Sequence, residues 1–421
     1  MIFDTRFNLF NLFNLTIALL LLHSSMVAHA SATQNSTDGN NQQSPAIEQA
    51  KTVSGTIDHN GRLWLVWVSG KHLYVNYSDD LGNTYSLPVR VNDNPQKVEA
   101  HGESRPQIAV SNAGYIYIVY NQKLKKRFSG HVRFSRSVDG GKSFSKPGIV
   151  NSDQQVIGHS FGQLSLNKKG HIYITWLDSR DVLAARQSGQ TYDGSSIYYT
   201  ASFDGGESFQ PNIKLQDHSC QCCRITSAFD QGGFPVIVWR QIFDKTIRDH
   251  GLIRFTDSTT FAPMLRASKD EWAIESCPHH GPSLDIANND RYHLTWFTGA
   301  SEKAGIYYAY SENKGDLFSS PMKLGKDNHQ PQHPYVLNTG DQVDIVWKEF
   351  DGEITTIQQM HSNDNGETWS TPRTLSQTSE SSDHPFLIAS KKHVYLSWQT
   401  GEGYRLINVE VDAHKNKVAV R

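Results

Sequence analysis

The chain has 421 residues, and its 40 Lys and Arg against 42 Asp and Glu give a formal net charge of −2 at pH 7. This balance gives no electrostatic reason to expect a nucleic acid or an anionic membrane as a partner. Aromatic residues make up 11% of the chain. Alternating Val, Ile and Tyr residues indicate strands, whereas no helical periodicity persists over a useful window. The composition therefore favours an all-β protein.

The N-terminus has the pattern of a secretory signal peptide. Arg6 precedes an apolar run from Leu9 to Leu22, and the run is followed by Ala-His-Ala ending at Ala30. The run is short for a membrane span, and no later segment could cross a bilayer. We expect cleavage near Ala30, a periplasmic or secreted protein, a disordered polar linker over residues 31–50, and one domain over 51–421. We also expect a monomer.

Seven strands that each end in an aromatic residue follow along the chain. They recur at intervals of roughly 50 to 65 residues, and a strand repeat of that length is typical of β-propeller blades. Their aromatic residues are Trp67, Tyr120, Trp176, Trp239, Trp296, Trp347 and Trp398. The pattern predicts a β-propeller of seven four-stranded blades. The alternative has six blades, with an end repeat completing a shared blade.

Five copies of the pattern Ser-x-Asp-x-Gly-x-x-aromatic lie between these strands. They begin at Ser78, Ser137, Ser202, Ser311 and Ser362, and the fourth copy has Asn313 in place of Asp. The pattern predicts a self-closing turn in which the carboxylate accepts backbone N–H groups, the Gly has a positive φ, and the aromatic ring packs back on its strands. We expect these turns to be structural and to lie at the propeller end opposite the functional face.

This pattern is the Asp-box of the sialidase superfamily, which the chain resembles over essentially its whole mature length. The resemblance implies three arginines that grip a substrate carboxylate, a Tyr nucleophile activated by a Glu, and an Asp acid/base. Arg105, in Ser-Arg-Pro, matches the family's first arginine except for a missing Ile. Arg224 occupies the same register two blades later, and Arg180 or Arg248 would be the third. No Tyr–Glu pair matches.

An exo-sialidase-type glycoside hydrolase or a propeller that binds an anionic glycan is therefore the alternative function, and catalysis stays an open question. Salt bridges from these arginines to Asp178, Asp181 or Asp249 would be a purely structural role for them.

Alignment on the aromatic strands places one set of residues immediately before each innermost strand. The loop that leads into the innermost strand lies at the mouth of the central channel, so these side chains should converge on one face. The set is Arg105, Phe161, Arg224, Gly281, His333 and His384.

All four cysteines lie in two loops of that face. Cys220, Cys222 and Cys223 open blade four, and Cys277 opens blade five together with His279 and His280. Disulfides are the usual fate of an even number of cysteines in an exported protein. Closely spaced thiolates and imidazoles also suit a soft metal ion, copper as Cu(I) first and zinc second. A redox-active cysteine pair is a third interpretation.

A second resemblance supports treating the cysteines as one unit. The Cys-x-Cys-Cys and Cys-Pro-x-x-Gly pieces are similar to those of an exported bacterial branch of sialidase-like proteins that has no settled activity. The function we favour from sequence is thus an exported sialidase-like propeller that binds a soft metal ion, copper first, at the Cys/His cluster of the channel mouth. A redox-linked role of the same cluster stays open.

Overall fold

The computed structural model describes residues 46–391 and 393–410. The predicted signal peptide and most of the predicted linker lie outside the described residues. The strands form seven separate antiparallel sheets, and in six of them hydrogen-bonded neighbours follow one another directly in the chain.

The first four blades contain the following strands. Blade one has β1 (Val53–Ile57), β2 (Leu63–Ser69), β3 (His72–Ser78) and β4 (Val89–Arg90). Blade two has β5 (Lys97–Val98), β6 (Gln107–Val110), β7 (Ile116–Lys123), β8 (Gly130–Ser137) and β9 (Gly148–Ile149). Blade three has β10 (His159–Leu166), β11 (Ile172–Asp178), β12 (Ser195–Ser202) and β13 (Ile213–Ser219). Blade four has β14 (Thr226–Phe229), β15 (Pro235–Arg240), β16 (His250–Arg254) and β17 (Leu265–Arg266).

The last three blades complete the ring. Blade five has β18 (Ser283–Ile286), β19 (Tyr292–Thr298), β20 (Gly305–Ser311) and β21 (Met322–Leu324). Blade six has β22 (Gln332–Thr339), β23 (Gln342–Phe350), β24 (Thr355–Ser362) and β25 (Arg373–Thr378). Blade seven has β26 (Phe386–Ala389), β27 (Val394–Thr400) and β28 (Gly403–Asn408).

The prediction of seven blades is confirmed, and the six-bladed alternative is wrong because the chain supplies seven separate sheets. Two blades depart from four continuous strands. In blade two the innermost strand is split, since β5 and β6 both pair with β7. Blade seven has three strands among the described residues.

The seven aromatic residues that predicted the blades lie in the second strand of each sheet. Each is at most 1% exposed. Burial of such large side chains is worth several kcal/mol of hydrophobic free energy per residue as an upper bound. The core therefore consists of layers between neighbouring blades rather than one central cluster.

The Asp-box turns have the predicted hydrogen bonds. In blade two the Asp139 carboxylate accepts the Ser137 hydroxyl at 2.7 Å and the Ser143 N–H at 3.0 Å. Gly141 has φ of 82°, and a Cβ built there would lie 2.7 Å from the ring of Trp64 in blade one. Gly is therefore required both by the backbone and by contact with the preceding blade.

Strand direction separates two faces of the propeller. Each Asp-box joins the third and fourth strands of a blade, and successive strands run antiparallel. The turn therefore lies at the end where the innermost strand finishes, opposite the end where it begins. The loops that precede each innermost strand and those that follow each second strand share the other end, which we call the channel-mouth face.

Helical structure is nearly absent, as expected. The described residues include one α-helix, α1 (Arg180–Gln187), inserted after β11, and short 3-10 turns at Ile47–Gln49 and Asp327–His329. None of the helices in the described part of the chain has the length and apolar character that crossing a bilayer requires.

The boundary predicted between linker and domain needs a correction. Residues 46–50 belong to the structured unit, with Ile47 and Ala50 buried against the core of blade one and the 3-10 turn in contact with β28. These two apolar side chains provide enough hydrophobic surface to order the segment, although the residues before them are polar.

Candidate functional site

The two cysteine loops meet at the channel-mouth face. The loop between β13 and β14 carries Cys220, Cys222 and Cys223, all buried, and their sulfur atoms all lie within 4.8 Å of one another. The Sγ atoms of Cys220 and Cys222 are 3.6 Å apart. Cys277, from the loop between β17 and β18, is exposed and hydrogen-bonds to Cys222. All four are free thiols, so the disulfide expected as one alternative does not form in this structure.

Two arginines supply positive charge to this cluster, which consists of Cys220, Cys222, Cys223 and Cys277. Arg240, the last residue of β15, is 1% exposed, and its guanidinium donates to the carbonyl oxygens of Arg248, His280 and Phe297. Within 46–391 and 393–410, neither Arg240 nor Arg248 forms an ion pair with a carboxylate. Three of their guanidinium nitrogens are buried without a hydrogen-bond partner, namely Nε of Arg240 and Nε and Nη1 of Arg248. A buried cation normally needs a counter-charge, and sulfur atoms are the groups placed to provide it.

The surroundings shift the pKa values of the four thiols in different directions. Hydrogen bonds from Cys222 and Cys223, followed by the charges of Arg240 and Arg248, lower the pKa of Cys220 well below its usual range. Its contact with Cys220, followed by those with Cys223 and Cys277, raises the pKa of Cys222, and burial raises the pKa of Cys223. The hydrogen bond with Cys222 lowers the pKa of Cys277 to about 7. These contacts therefore favour a thiolate at Cys220 over one at Cys222 or Cys223.

The two histidines of the second loop have different positions. His279 is exposed, in a left-handed backbone conformation with φ of 54°. His280 stacks on Phe297 at 4.0 Å between ring centroids and on His333 at 4.5 Å. Burial lowers the pKa of His280 to about 3, so its imidazole is neutral. Among the described residues, neither histidine belongs to the group of ligand atoms formed by the three cysteines.

Glu103 is the centre of the channel mouth, and sequence reasoning did not select it. The side chain is 2% exposed; its carboxylate accepts Arg224 Nη1 at 3.0 Å and the backbone N–H groups of Arg224 and Gly281 at 2.9 and 2.8 Å. The imidazole rings of His333 and His384 stack on each other beside this carboxylate, with 3.4 Å between their centroids. Although burial opposes ionisation, Arg224 and the two histidines hold the pKa of Glu103 well below its usual range.

Of the four candidate arginines, the structure brings two together. Arg105 and Arg224 line a cavity of about 210 Å³ on the channel axis together with Glu103. Arg105 is buried and pairs with Asp383 at 2.6 Å. Arg180 and Arg248 do not line this cavity, although both lie on the channel-mouth face.

Arg180 is the first residue of α1, and its Nη2 atom lies 2.7 Å from Oδ2 of Asp178. Arg248 lies beside the cysteines, and its positive charge lowers the pKa of Cys220 and Cys277. The predicted salt-bridge role thus applies to Arg180, while a three-arginine grip on a carboxylate is not assembled.

Glu103 and Arg240, which the sequence did not single out, have only weak signals in the sequence around them. Glu103 contacts groups 121 and 178 positions away in the chain, so no short motif includes its partners. A clue existed for Arg240, because it follows the landmark Trp239 inside a strand that is otherwise apolar.

Comparisons with known proteins bear on the fold. No protein-family model matches the chain, and no curated protein matches it in sequence. Solved structures do match. A polysaccharide lyase PL25 ulvan lyase, bound to GlcA(1-4)Rha3S, is 13% identical with a TM-score of 0.56, over 84% of this chain and 91% of that chain. This chain has a sialidase-like propeller fold.

Two further structures agree with that assignment. The polysaccharide lyase Uly1 is 10% identical with a TM-score of 0.52, over 89% of this chain and 94% of the lyase. The Hadza microbial sialidase Hz136 is 13% identical with a TM-score of 0.51, over 84% of this chain and 74% of the sialidase. The expected sialidase-like fold is therefore confirmed. The similarity to an exported branch with the same cysteine motifs stays a prediction.

Proposed function

We propose that the protein is a metal-binding propeller whose cysteine cluster holds a soft d¹⁰ ion, Cu(I) in preference to Zn(II). The observation that carries this proposal is the meeting of three buried, free sulfur atoms within 4.8 Å of one another. Thiolates select Cu(I) and Zn(II) over harder ions.

Ligand number favours copper over zinc. A structural zinc site takes four ligands in a tetrahedron. Three sulfur atoms are mutually close here, and the fourth, on Cys277, contacts Cys222 from an exposed loop. Cu(I) is satisfied by the three buried sulfurs alone, so Cys277 would be needed for zinc but not for copper.

Charge also supports an anionic metal–thiolate complex. Three thiolates and one Cu(I) carry a net charge of −2, and Arg240 and Arg248 offer two positive charges with no carboxylate partner in the described part of the chain. Metal binding must displace the thiol protons, so affinity should fall with decreasing pH.

The test is a titration of the full-length, reduced protein with Cu(I) against a competing chelator. We expect one tightly bound ion per chain, lost in Cys222→Ser and retained in Cys277→Ser, with Zn(II) binding weakened in both. Cys222→Ala serves as a second variant if the serine destabilises the buried cluster. Absence of Cu(I) binding by reduced, folded protein would overturn the proposal, as would equal binding by the parent and Cys222→Ser.

Anionic glycan recognition is a second candidate function. The fold resembles those of two polysaccharide lyases and a sialidase, and Glu103, Arg105 and Arg224 line the axial cavity. Both arginines already pair with buried carboxylates, so a bound sugar acid would have to displace one of them. Fold alone does not fix function.

A direct assay separates this candidate from metal binding. Metal-free Cys222→Ser protein is incubated with uronate-containing and sialylated polysaccharides, and unsaturated uronate absorbance and released sialic acid are measured. Turnover that disappears in Arg224→Gln would support a glycan enzyme. No turnover and no retention of these glycans would eliminate the candidate.

A further inference from the structure

A second group of ligand atoms converges at the channel mouth, separate from the cysteines. Oε1 of Glu103 lies 3.6 Å from Nδ1 of His333 and 3.4 Å from Nδ1 of His384. All three atoms lie within 4.8 Å of one another. The three residues come from blades two, six and seven, so the fold and not a local motif assembles them.

The carboxylate is fixed in place by other donors. Its Oε2 atom accepts two backbone N–H groups, those of Arg224 and Gly281. Oε1 accepts Nη1 of Arg224 and faces the two imidazoles. Carboxylates that ligate metal ions are usually held in place by hydrogen bonds from the surrounding protein.

Both imidazoles direct a buried nitrogen at this carboxylate at more than the usual hydrogen-bond length. Nδ1 of His333 and Nδ1 of His384 lie 3.6 and 3.4 Å from Oε1 of Glu103, and His333 is 8% exposed. Buried polar atoms without a partner are costly and rare. His333 also has φ of 50°, at a bulge in β22 between Gln332 and Tyr335. Such backbone strain in a non-glycine residue clusters at functional sites.

A third group of ligand atoms has a similar composition, but more donors occupy its carboxylate oxygen. Asp153, His159 and Asp178 also bring ligand atoms within 4.8 Å of one another. There, however, Asp178 accepts Trp176 Nε1 at 2.8 Å, Arg180 Nη2 at 2.7 Å and the Arg180 N–H at 2.9 Å. The Asp178 oxygen that faces His159, Oδ2, thus accepts two donors, whereas Oε1 of Glu103 accepts one, Nη1 of Arg224. The group around Asp178 is therefore the weaker candidate for a metal.

We propose that Glu103, His333 and His384 form a second metal site, which takes a borderline divalent ion such as Zn(II) through one carboxylate oxygen and two Nδ1 atoms. Two imidazoles and one carboxylate are a known zinc ligand set that leaves a coordination position open. The site adds to the cysteine site and does not depend on it, because its ligands are nitrogen and oxygen.

The test uses full-length protein stripped of metal by a chelator, with Co(II) as a spectroscopic substitute for Zn(II). Cysteine ligation gives an intense near-ultraviolet sulfur-to-cobalt band, whereas imidazole and carboxylate ligation gives only weak visible bands. In Cys222→Ser protein we expect one Co(II) per chain, visible bands without the sulfur band, and displacement by one equivalent of Zn(II).

Histidine variants in the same background identify the ligands. His384→Gln removes the atom at the Nδ1 position and should weaken Co(II) binding by at least about 10- to 100-fold. His384→Asn, which keeps a polar atom there, should weaken it less. His171→Gln, on the Asp-box face, is the matched control and should leave binding unchanged.

Circular dichroism and thermal melts confirm that each variant is folded, and His333→Gln repeats the test if His384→Gln is not. The proposal is overturned if folded His384→Gln or His333→Gln binds Co(II) as tightly as the control. It is also overturned if all Co(II) binding disappears with Cys222. Neither result depends on whether the wild-type protein binds Cu(I), so the two proposals fail separately.

Discussion

The Asp-box face and the channel-mouth face are built from the same seven repeats but are stabilised in different ways. On the Asp-box face, each turn satisfies its own polar groups with partners two to four residues away, as Ser137, Asp139 and Ser143 do. On the channel-mouth face, buried charges from different blades satisfy one another, as Glu103 and Arg224 do across 121 positions. Repetition produces a scaffold, and departures from the repeat produce the candidate sites.

The strongest test of this difference concerns the buried pair Arg105–Asp383. Replacing Arg105 by Leu leaves the Asp383 carboxylate buried without its guanidinium partner, which should lower the free energy of unfolding by about 3–5 kcal/mol. Urea denaturation measures the change. The double variant Arg105→Leu/Asp383→Leu should recover most of the loss, because no unpaired charge remains. A single variant as stable as the parent would show that the channel-mouth face does not depend on this pair.

Acid should weaken the Asp-box face through its turn carboxylates. Turn hydrogen bonds, led by those from Thr84, Ser143 and Ser362, lower the pKa of Asp80, Asp139 and Asp364 from 3.8 to about 2. A carboxylate with a lowered folded-state pKa adds stability that is complete above its unfolded value and disappears as the pH falls through its folded value.

We therefore expect the contribution of these turns to the melting temperature to disappear between about pH 4 and pH 2. It adds to an earlier loss that begins near pH 6.5, because burial lowers the pKa of His280, His333 and His384 and these imidazoles resist protonation in the folded protein. Fluorescence melts across this range provide the measurement. A melting temperature that stays constant over the range would contradict the assignment.

A single Asp-box should matter less than the buried pair. Asp139→Ala removes the acceptor of the Ser137 hydroxyl and of two groups of Ser143. Because the turn is exposed, the loss should be about 1 kcal/mol, with Cu(I) affinity unchanged. Asp93→Ala, at a carboxylate whose side chain is 93% exposed, is the control. A variant that kept full stability but lost metal would mean that the two faces have been assigned in reverse.

The smallest expected change in stability comes from restoring Asp in the one Asp-box that has Asn, at position 313. Asn313 accepts the Ser311 hydroxyl and the Leu317 N–H in the position of the usual Asp. Asn313→Asp makes both hydrogen bonds charge-assisted and should add about 0.5 kcal/mol at pH 7. The gain should become much smaller as the pH falls from 4 to 2, because the new carboxylate is progressively protonated. Equal gains at both pH values would indicate an origin other than the charge.

The sequence predicted the parts of the molecule that depend on local chemistry. Buried aromatic residues such as Trp176 marked each blade, and the register placed Arg105 and His384 on one face. It did not predict the role of Glu103, since its partners come from blades four to seven. It also did not predict the role of Arg240, which binds three carbonyl oxygens that lie elsewhere in the chain. The helix α1 was missed because eight residues are too few for a periodic signal.

The closure of the ring has a consequence for where the protein opens first. Blade one and blade seven meet through side-chain packing of Ile47, Val53 and Leu65 against Ile388 and Leu406, with no strand shared between them in the described ranges. The cysteine loops lie at blades four and five, across the ring from this seam.

Fraying at the seam should therefore leave the thiols assembled. Hydrogen exchange would detect this as faster exchange in β1 and β28 than in β15 and β19. Uniform exchange would contradict it. A propeller arranged in this way can lose its first and last elements transiently and still keep its four cysteine side chains together.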